Sequence, residues 1–404
     1  MTPIRFVLRH PTLRLIAVAL LLLGAQYASF YPYQSLIAIE RIGMSKQAFS
    51  LLLVVASIVA VTSSVLFGVL GDQYGHRRRI ALGTALASTV GVSLMLVHPG
   101  MVSLVIFHGI LLPLASSLYG QLFALARLAS PAEGRSRDGI LGTIRASMSL
   151  SFLAMLIFWA VAFGFGLSEM AVYVTGGLSS LSVLLLLWFG WPKDGQTEWQ
   201  DPRSELRLRD ALLQIARPHV ALRVVLLGAI ASAGNLYMVL VSLVFDASPV
   251  RGPSDVALYV GLVAGWEVPA MLLLPRFTHR ISRSATLALG AVVYGCHLLA
   301  LPLLSDTIFL WPMTFFAGVG GAAVITTPIP YYQDLLRDRP GTAAAMLALQ
   351  KLVSDMMTAG AFSLGSRIGG FESVALIGVA LSLGGAALIW LADRKAWLMK
   401  ATQG

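Results

Sequence analysis

Charge is what this chain has least of. Only 12% of its 404 residues are Asp, Glu, Lys or Arg, against about 25% in an ordinary soluble domain. So few charges cannot cover a globule in water, and lipid must be the solvent for much of the surface. Cysteine is scarcer still. The single copy, Cys296, lies in an apolar run, which excludes a disulfide framework and a cysteine metal cluster. There is no phosphate-cradling Walker loop to take energy from ATP, no paired-histidine metal motif and no nucleophile elbow. No basic stripe with interleaved aromatics accompanies the net charge of +10, so nucleic acid is not the partner it implies. An enzyme, a metal centre and a bound cofactor are therefore not expected.

What is abundant is apolar sequence. The composition is 57% hydrophobic and the mean hydropathy is +0.79. A bilayer core takes about 20 apolar residues per helix. Twelve runs meet or approach that length: 15–39, 47–70, 80–97, 101–125, 139–163, 170–191, 220–245, 255–275, 285–304, 308–332, 342–364 and 373–392. The opening MTPIRFVLRHPTLRLIAVALLLLGAQYA has the layout of a signal peptide, but its apolar character continues to Ile39, so it reads as the first span. One connection is long and polar, PKDGQTEWQDPRSELRLRDALLQIARPH. The expected organisation is an all-α membrane protein of twelve transmembrane helices in two six-helix halves, residues 1–192 and 220–404, joined by a linker at 193–219.

Loop charges orient it. With both termini in the cytoplasm, four of the 29 Lys and Arg residues lie outside (Arg41, Lys46, Arg251, Arg367). Two, Arg145 and Lys351, fall within helices, leaving 23 inside. The reverse orientation breaks the positive-inside rule at nearly every loop. The halves also echo one another: LYGQLFALARLASP (118–131) is similar to PYYQDLLRDRP (330–340), and GDQYGHRRRIALG has a worn counterpart in PRFTHRISRSATLALG. A parallel repeat of this kind places a site between the halves.

The segment GVLGDQYGHRRRI (68–80) resembles the loop signature of the major facilitator superfamily, through Gly68, Gly71, Asp72, Gly75, Arg77 and Arg78. That resemblance implies transport by alternating access. It also implies that Asp72 meets the start of helix 11 near Gly341 and Thr342, closing the cytoplasmic side of one state. A narrower resemblance, to the bacterial sugar efflux transporters, rests on IRASMSLSFLAMLIFWAVAFGFG (144–166), GLVAGWEVPAML (261–272) and PIPYYQDLLRDRPGTA (328–343). It implies proton-coupled export of sugars from the bacterial inner membrane by a monomer. One departure bears on direction. Met155, Leu156 and Ile157 stand where that family carries a Gly-Pro-Pro kink shared with many proton-driven exporters.

Charges inside the spans are the next signal. A carboxylate at the bilayer centre costs about 2.5–3.5 kcal/mol, so Glu267 needs a partner, water or a proton. Helical rise puts Glu267 of helix 8 and Arg145 of helix 5 at one depth, about 10 Å above the cytoplasmic end. The superfamily resemblance sets those helices face to face, which makes the two a gate or coupling pair, or else a static brace. Lys351 and Asp355, four apart on helix 11, share a face and can pair there, either as a structural pair or as a second coupling site with Asp355 as the titrating group.

In the family, helices 1, 4, 7 and 10 line the cavity. Their polar and aromatic residues here are Gln26, Tyr27, Tyr31 and Gln34, then His108 and Gln121, Asn235 and Tyr237, and Tyr331 and Gln333. Amides and phenols for hydroxyls, with ring faces for C–H surfaces, suit a small neutral polyhydroxylated ligand. Any one tyrosine also fits an interfacial belt. His297 of helix 9 reads as a packed or lipid-edge residue and not a proton carrier. Rival readings are export of drugs or other metabolites, proton-driven uptake and, outside transport, a lipid-moving or sensor protein.

Overall fold

A computed structural model describes residues 3–130, 135–192, 217–278, 281–335 and 340–401. Among these there is no strand, and a short lead-in helix, Pro3–Arg9, precedes twelve long helical segments. They are α1 (Pro11–Phe30, prolonged to Arg41), α2 (Lys46–Tyr74), α3 (Arg77–Val97), α4 (Met101–Leu128), α5 (Arg135–Gly164) and α6 (Val172–Gly190). After them come α7 (Pro218–Asp246), α8 (Pro253–Thr278), α9 (Arg283–Leu303), α10 (Met313–Thr326, continued by Pro328–Leu335), α11 (Pro340–Ile368) and α12 (Gly370–Ala401). Ten of the twelve are apolar and long enough to cross a membrane among the described residues. The other two, α8 and α11, are the helices that carry Glu267 and the Lys351–Asp355 pair. Of the expected linker, residues 193–216 lie outside the described set.

The ends obey local chemistry. Pro218 opens α7, where a missing N–H costs nothing. Ser282 caps α9 by accepting from the Ala285 amide at 3.1 Å. Prolines break the regular ladder where the sequence places them. Pro32 sits in a single 3-10 turn that leads to a π turn at Ile37–Arg41. A π turn at Phe107–Leu111 precedes Pro113 in α4, and α10 breaks at Thr327 before Pro328. By contrast α8 runs unbroken past Pro269.

The chain packs as two compact units, Met1–Met44 with Ile58–Leu206, and Ser45–Ser57 with Arg207–Gly404. In the first, α1 lies against α5 and α6, and α3 against α4 and α6. In the second, α7 lies against α11 and α12, and α9 against α10 and α12. Raising each helix number by six turns one set of pairings into the other, so the repeat faintly visible in the sequence is a repeat of packing. Corresponding close approaches support it. A methyl group on Gly24 of α1 would collide with Ser151 and the Met148 carbonyl of α5. One on Gly228 of α7 would lie 2.6 Å from Val353 of α11. Each unit has its own apolar core, with Leu13, Ile16, Leu122 and Ile144 in the first and Leu227, Ile230, Leu287 and Ile389 in the second.

The first turns of α2 depart from chain order. Ser45–Ser57 counts with the second unit. Phe49 meets Phe362 edge-on, with ring centroids 6.0 Å apart, and Lys46 lies over the Phe371 ring.

Candidate functional site

The inner loop of the first unit is held by its own arginines. α2 ends at Tyr74, and Gly75 turns the chain at φ +69°, a conformation that costs other residues strain. Arg77 is buried and folds back so that a methyl on Gly71 would lie 3.1 Å from its Nη1. Arg78 donates to the Trp188 carbonyl of α6 at 2.9 Å. Gln121 of α4 closes over the same Gly71 and donates to the Phe67 carbonyl at 3.1 Å, so its amide braces this loop. The side chain of Asp72 lies outside the described residues.

Deeper in that unit, polar side chains form a short ladder. Gln26 donates to Ser88 at 2.6 Å, and Ser88 is 3.2 Å from Ser180, beside a small cavity that Tyr27 also lines. Tyr27 and Tyr31 meet edge-on, with centroids 5.2 Å apart, and Gln34 is half-buried past the Pro32 kink. His108, set in the π turn of α4, shares a 2.9 Å hydrogen bond with Tyr173 inside a cage of Phe30 and Phe107. π turns inside α-helices recur at functional sites. Arg145 is exposed on α5, within electrostatic reach of the Tyr119 phenol.

The second unit holds the charges. Asp355 is a hub: Oδ2 accepts from Ser57 at 2.6 Å and from Lys351 at 2.8 Å, and Oδ1 accepts from Asn235 at 2.6 Å. Asn235 also donates to Ser354 at 2.9 Å. Each of the three bonds to Asp355 uses the carboxylate as acceptor. Tyr331 is likewise engaged. It accepts from Arg223 at 3.0 Å and donates to Asp393 at 3.1 Å, completing a triangle with the Arg223–Asp393 ion pair. The side chain of Gln333 lies outside the described residues.

Glu267 is half-buried, and α8 crosses α10 where α10 has no side chains. A methyl on Gly318 would strike Trp266, and one on Gly321 would lie 2.7 Å from Glu267 Oε1 and 3.4 Å from the ring of Tyr294. The run of small residues in α10 thus makes a seat for the carboxylate. Around that seat stand Tyr237 of α7, Tyr259 of α8, and Tyr294 and His297 of α9, with His297 completely buried.

Ser88, Ser180, Tyr173, Tyr259 and Tyr294 escape the sequence reading. Each is a small hydroxyl or a tyrosine within an apolar run, on a helix outside the four that the family resemblance sets around the cavity. Arg145 belongs to the first unit and Glu267 to the second.

Comparison with known proteins adds the lineage. The family described as the Major Facilitator Superfamily matches residues 15–354. A protein of Dickeya chrysanthemi called sugar efflux transporter A is 22% identical over 343 residues, covering 83% of this chain and 84% of that protein. A putative sugar efflux transporter of Deinococcus radiodurans is 24% identical over 390 residues, covering 94% and 97%. Among solved structures, the nucleoside transporter NupG superposes with a TM-score of 0.78 at 15% identity, covering 94% of this chain and 98% of that one. A peptide transporter POT in complex with sulfate gives a TM-score of 0.74 at 12% identity, covering 94% of each. These two likenesses concern the fold.

Proposed function

We propose that this chain, which belongs to the major facilitator superfamily, exports sugars or sugar-like metabolites in exchange for protons across a bacterial inner membrane, with both termini in the cytoplasm. Lineage carries the coarse part: it is a multi-pass membrane transporter and not an enzyme. Sugar as cargo is supported by the names of its relatives and by an inventory of buried amides, hydroxyls and phenols that suits a neutral polyol.

The observation that carries the coupling is Glu267, a carboxylate inside an otherwise apolar helix, seated on the glycines of α10. Ionised, it needs a countercharge; neutral, it needs none. In the proposed cycle Arg145 is that countercharge in one state. Protonation of Glu267, or arrival of substrate, releases the pair and lets access alternate. Coulomb attraction in a poorly solvated site is strong enough for one proton to bias such an equilibrium. Asp355 plays a different part. We read it as a brace for α2, α7 and α11 in place of the second titrating group the sequence suggested, a reading its three acceptor bonds support.

The test is proton flux in proteoliposomes under an imposed pH gradient, on addition of a panel of mono- and disaccharides, with Glu267→Gln run beside the wild type. A sugar-evoked flux that the variant loses is the expected result. Flux equal in both would remove Glu267 from coupling, and no flux with any sugar would remove sugar as cargo. The opposite direction, proton-driven uptake, has one observation in its favour: α5 carries Met155, Leu156 and Ile157 where the resemblance to the efflux family leads one to expect Gly-Pro-Pro. The sign of the sugar-evoked flux decides between the two.

A further inference from the structure

The interior of the second unit contains a polar column that the transport cycle above leaves unused. His297 is 0% exposed, and neither ring nitrogen has a hydrogen-bond partner. The hydroxyls of Tyr237 and Tyr259 beside it are also buried without partners. A buried donor or acceptor left unsatisfied costs about 1–3 kcal/mol, and native interiors hold few of them. Four such atoms on three rings whose centroids lie 4.9, 5.9 and 6.2 Å apart call for a function.

The rings form a continuous series. At the end of the unit carrying the turn between α9 and α10, Arg251 lies over the Trp311 ring at 5.2 Å. Trp311 is 5.9 Å from Tyr259, and Tyr259 stacks on His297 at 5.9 Å with 19° between planes. His297 meets Tyr237 at 4.9 Å and Tyr294 at 5.3 Å. Tyr294 and Glu267 Oε1 both reach Gly321, and the phenols of Tyr237 and Tyr294 lie within electrostatic reach of Glu267. From Tyr259 to Glu267 is eight residues of α8, about 12 Å along the axis. From the neighbouring elements, α12 brings Gly378 and Val379 against this stretch of α7 and α9, and α10 brings Gly318, Gly320 and Gly321.

We propose that Tyr259, His297, Tyr237 and Tyr294 are a proton route from the outer end of the second unit to Glu267, which moves Tyr237 from the cavity-lining set read in the sequence to the proton's side of the cycle. The step balances without a co-reactant. One ring nitrogen of His297 accepts a proton arriving past Tyr259. The other releases its own toward Tyr294 and Tyr237, whose hydroxyls accept one proton as they pass one on, and Glu267 ends neutral. The imidazole leaves as the other tautomer and resets by turning over. Of the two readings the sequence allowed for His297, its complete burial agrees with the packed one, and the proposal adds a role to that position.

This inference rests on Glu267 as the proton carrier, and the experiment separates the two. Infrared difference spectroscopy on proteoliposomes after a rapid drop in external pH follows the C=O stretch of a protonated carboxyl, assigned as the band lost in Glu267→Gln. In His297→Phe, which keeps an aromatic ring in the cage, the band should reach its wild-type amplitude but rise about a hundredfold more slowly, the scale of a positioned acid–base group. Tyr259→Phe, which removes one oxygen and leaves the packing intact, should slow it in the same sense. A wild-type rise time in both variants overturns the route and leaves Glu267 as carrier. If the wild type has no Glu267-dependent band, both readings fall together.

Discussion

At the scale of single residues, the second unit separates two carboxylates that look alike in the sequence. Both sit in long helices of the second unit, yet Asp355 holds three donors and Glu267 rests on bare glycine backbone. Asp355→Asn should therefore lower stability in detergent by roughly 1–3 kcal/mol, the worth of hydrogen bonds to a charged group. Lys351→Met should cost about 0–1 kcal/mol, because the lysine side chain is 60% exposed and its attraction is screened. Thermal unfolding followed by tryptophan fluorescence checks the order, and a larger loss in the lysine variant would refute the hub. The pairing of Lys351 with Asp355 was legible from their spacing of four. The environment of His297 was not, because α9 is apolar on every side and sequence cannot say which face turns inward.

At the scale of elements, the helices were readable because length and hydropathy are all a bilayer asks of them. Their irregularities were readable only where proline marks them. The π turn around His108 is marked by Pro113 just beyond it, while the unbroken α8 shows that a proline alone does not enforce a break. Close helix crossings leave a faint trace, a glycine in an apolar run, indistinguishable in sequence from a glycine facing lipid. The distinction is testable by opposite signs. Gly228→Ala forces a methyl into Val353 and should destabilise by about 1–3 kcal/mol. Gly83→Ala on α3 meets nothing within 4 Å and should stabilise by roughly 0.5–1 kcal/mol through helix propensity. Melting temperatures of the two variants moving in the same direction would contradict the packing of α7 on α11.

At the scale of the whole molecule, the loop charges predict which turns face the cytoplasm. In a Cys296→Ser background, His98→Cys and Ile308→Cys should react with a membrane-impermeant maleimide on intact cells, while His76→Cys should react only after permeabilisation. The reverse pattern would invert the assigned topology and, with it, the side from which Glu267 receives its proton. The matched pairings of the two units carry a historical consequence. Six is an even number, so a gene encoding one such unit, copied in tandem, returns the chain to the side from which it set out. The second copy then inserts under the same targeting signals as the first and needs only a tether. The close approaches at Gly24 and Gly228, each where the first helix of a unit meets the fifth, are the packing trace that such a duplication would leave.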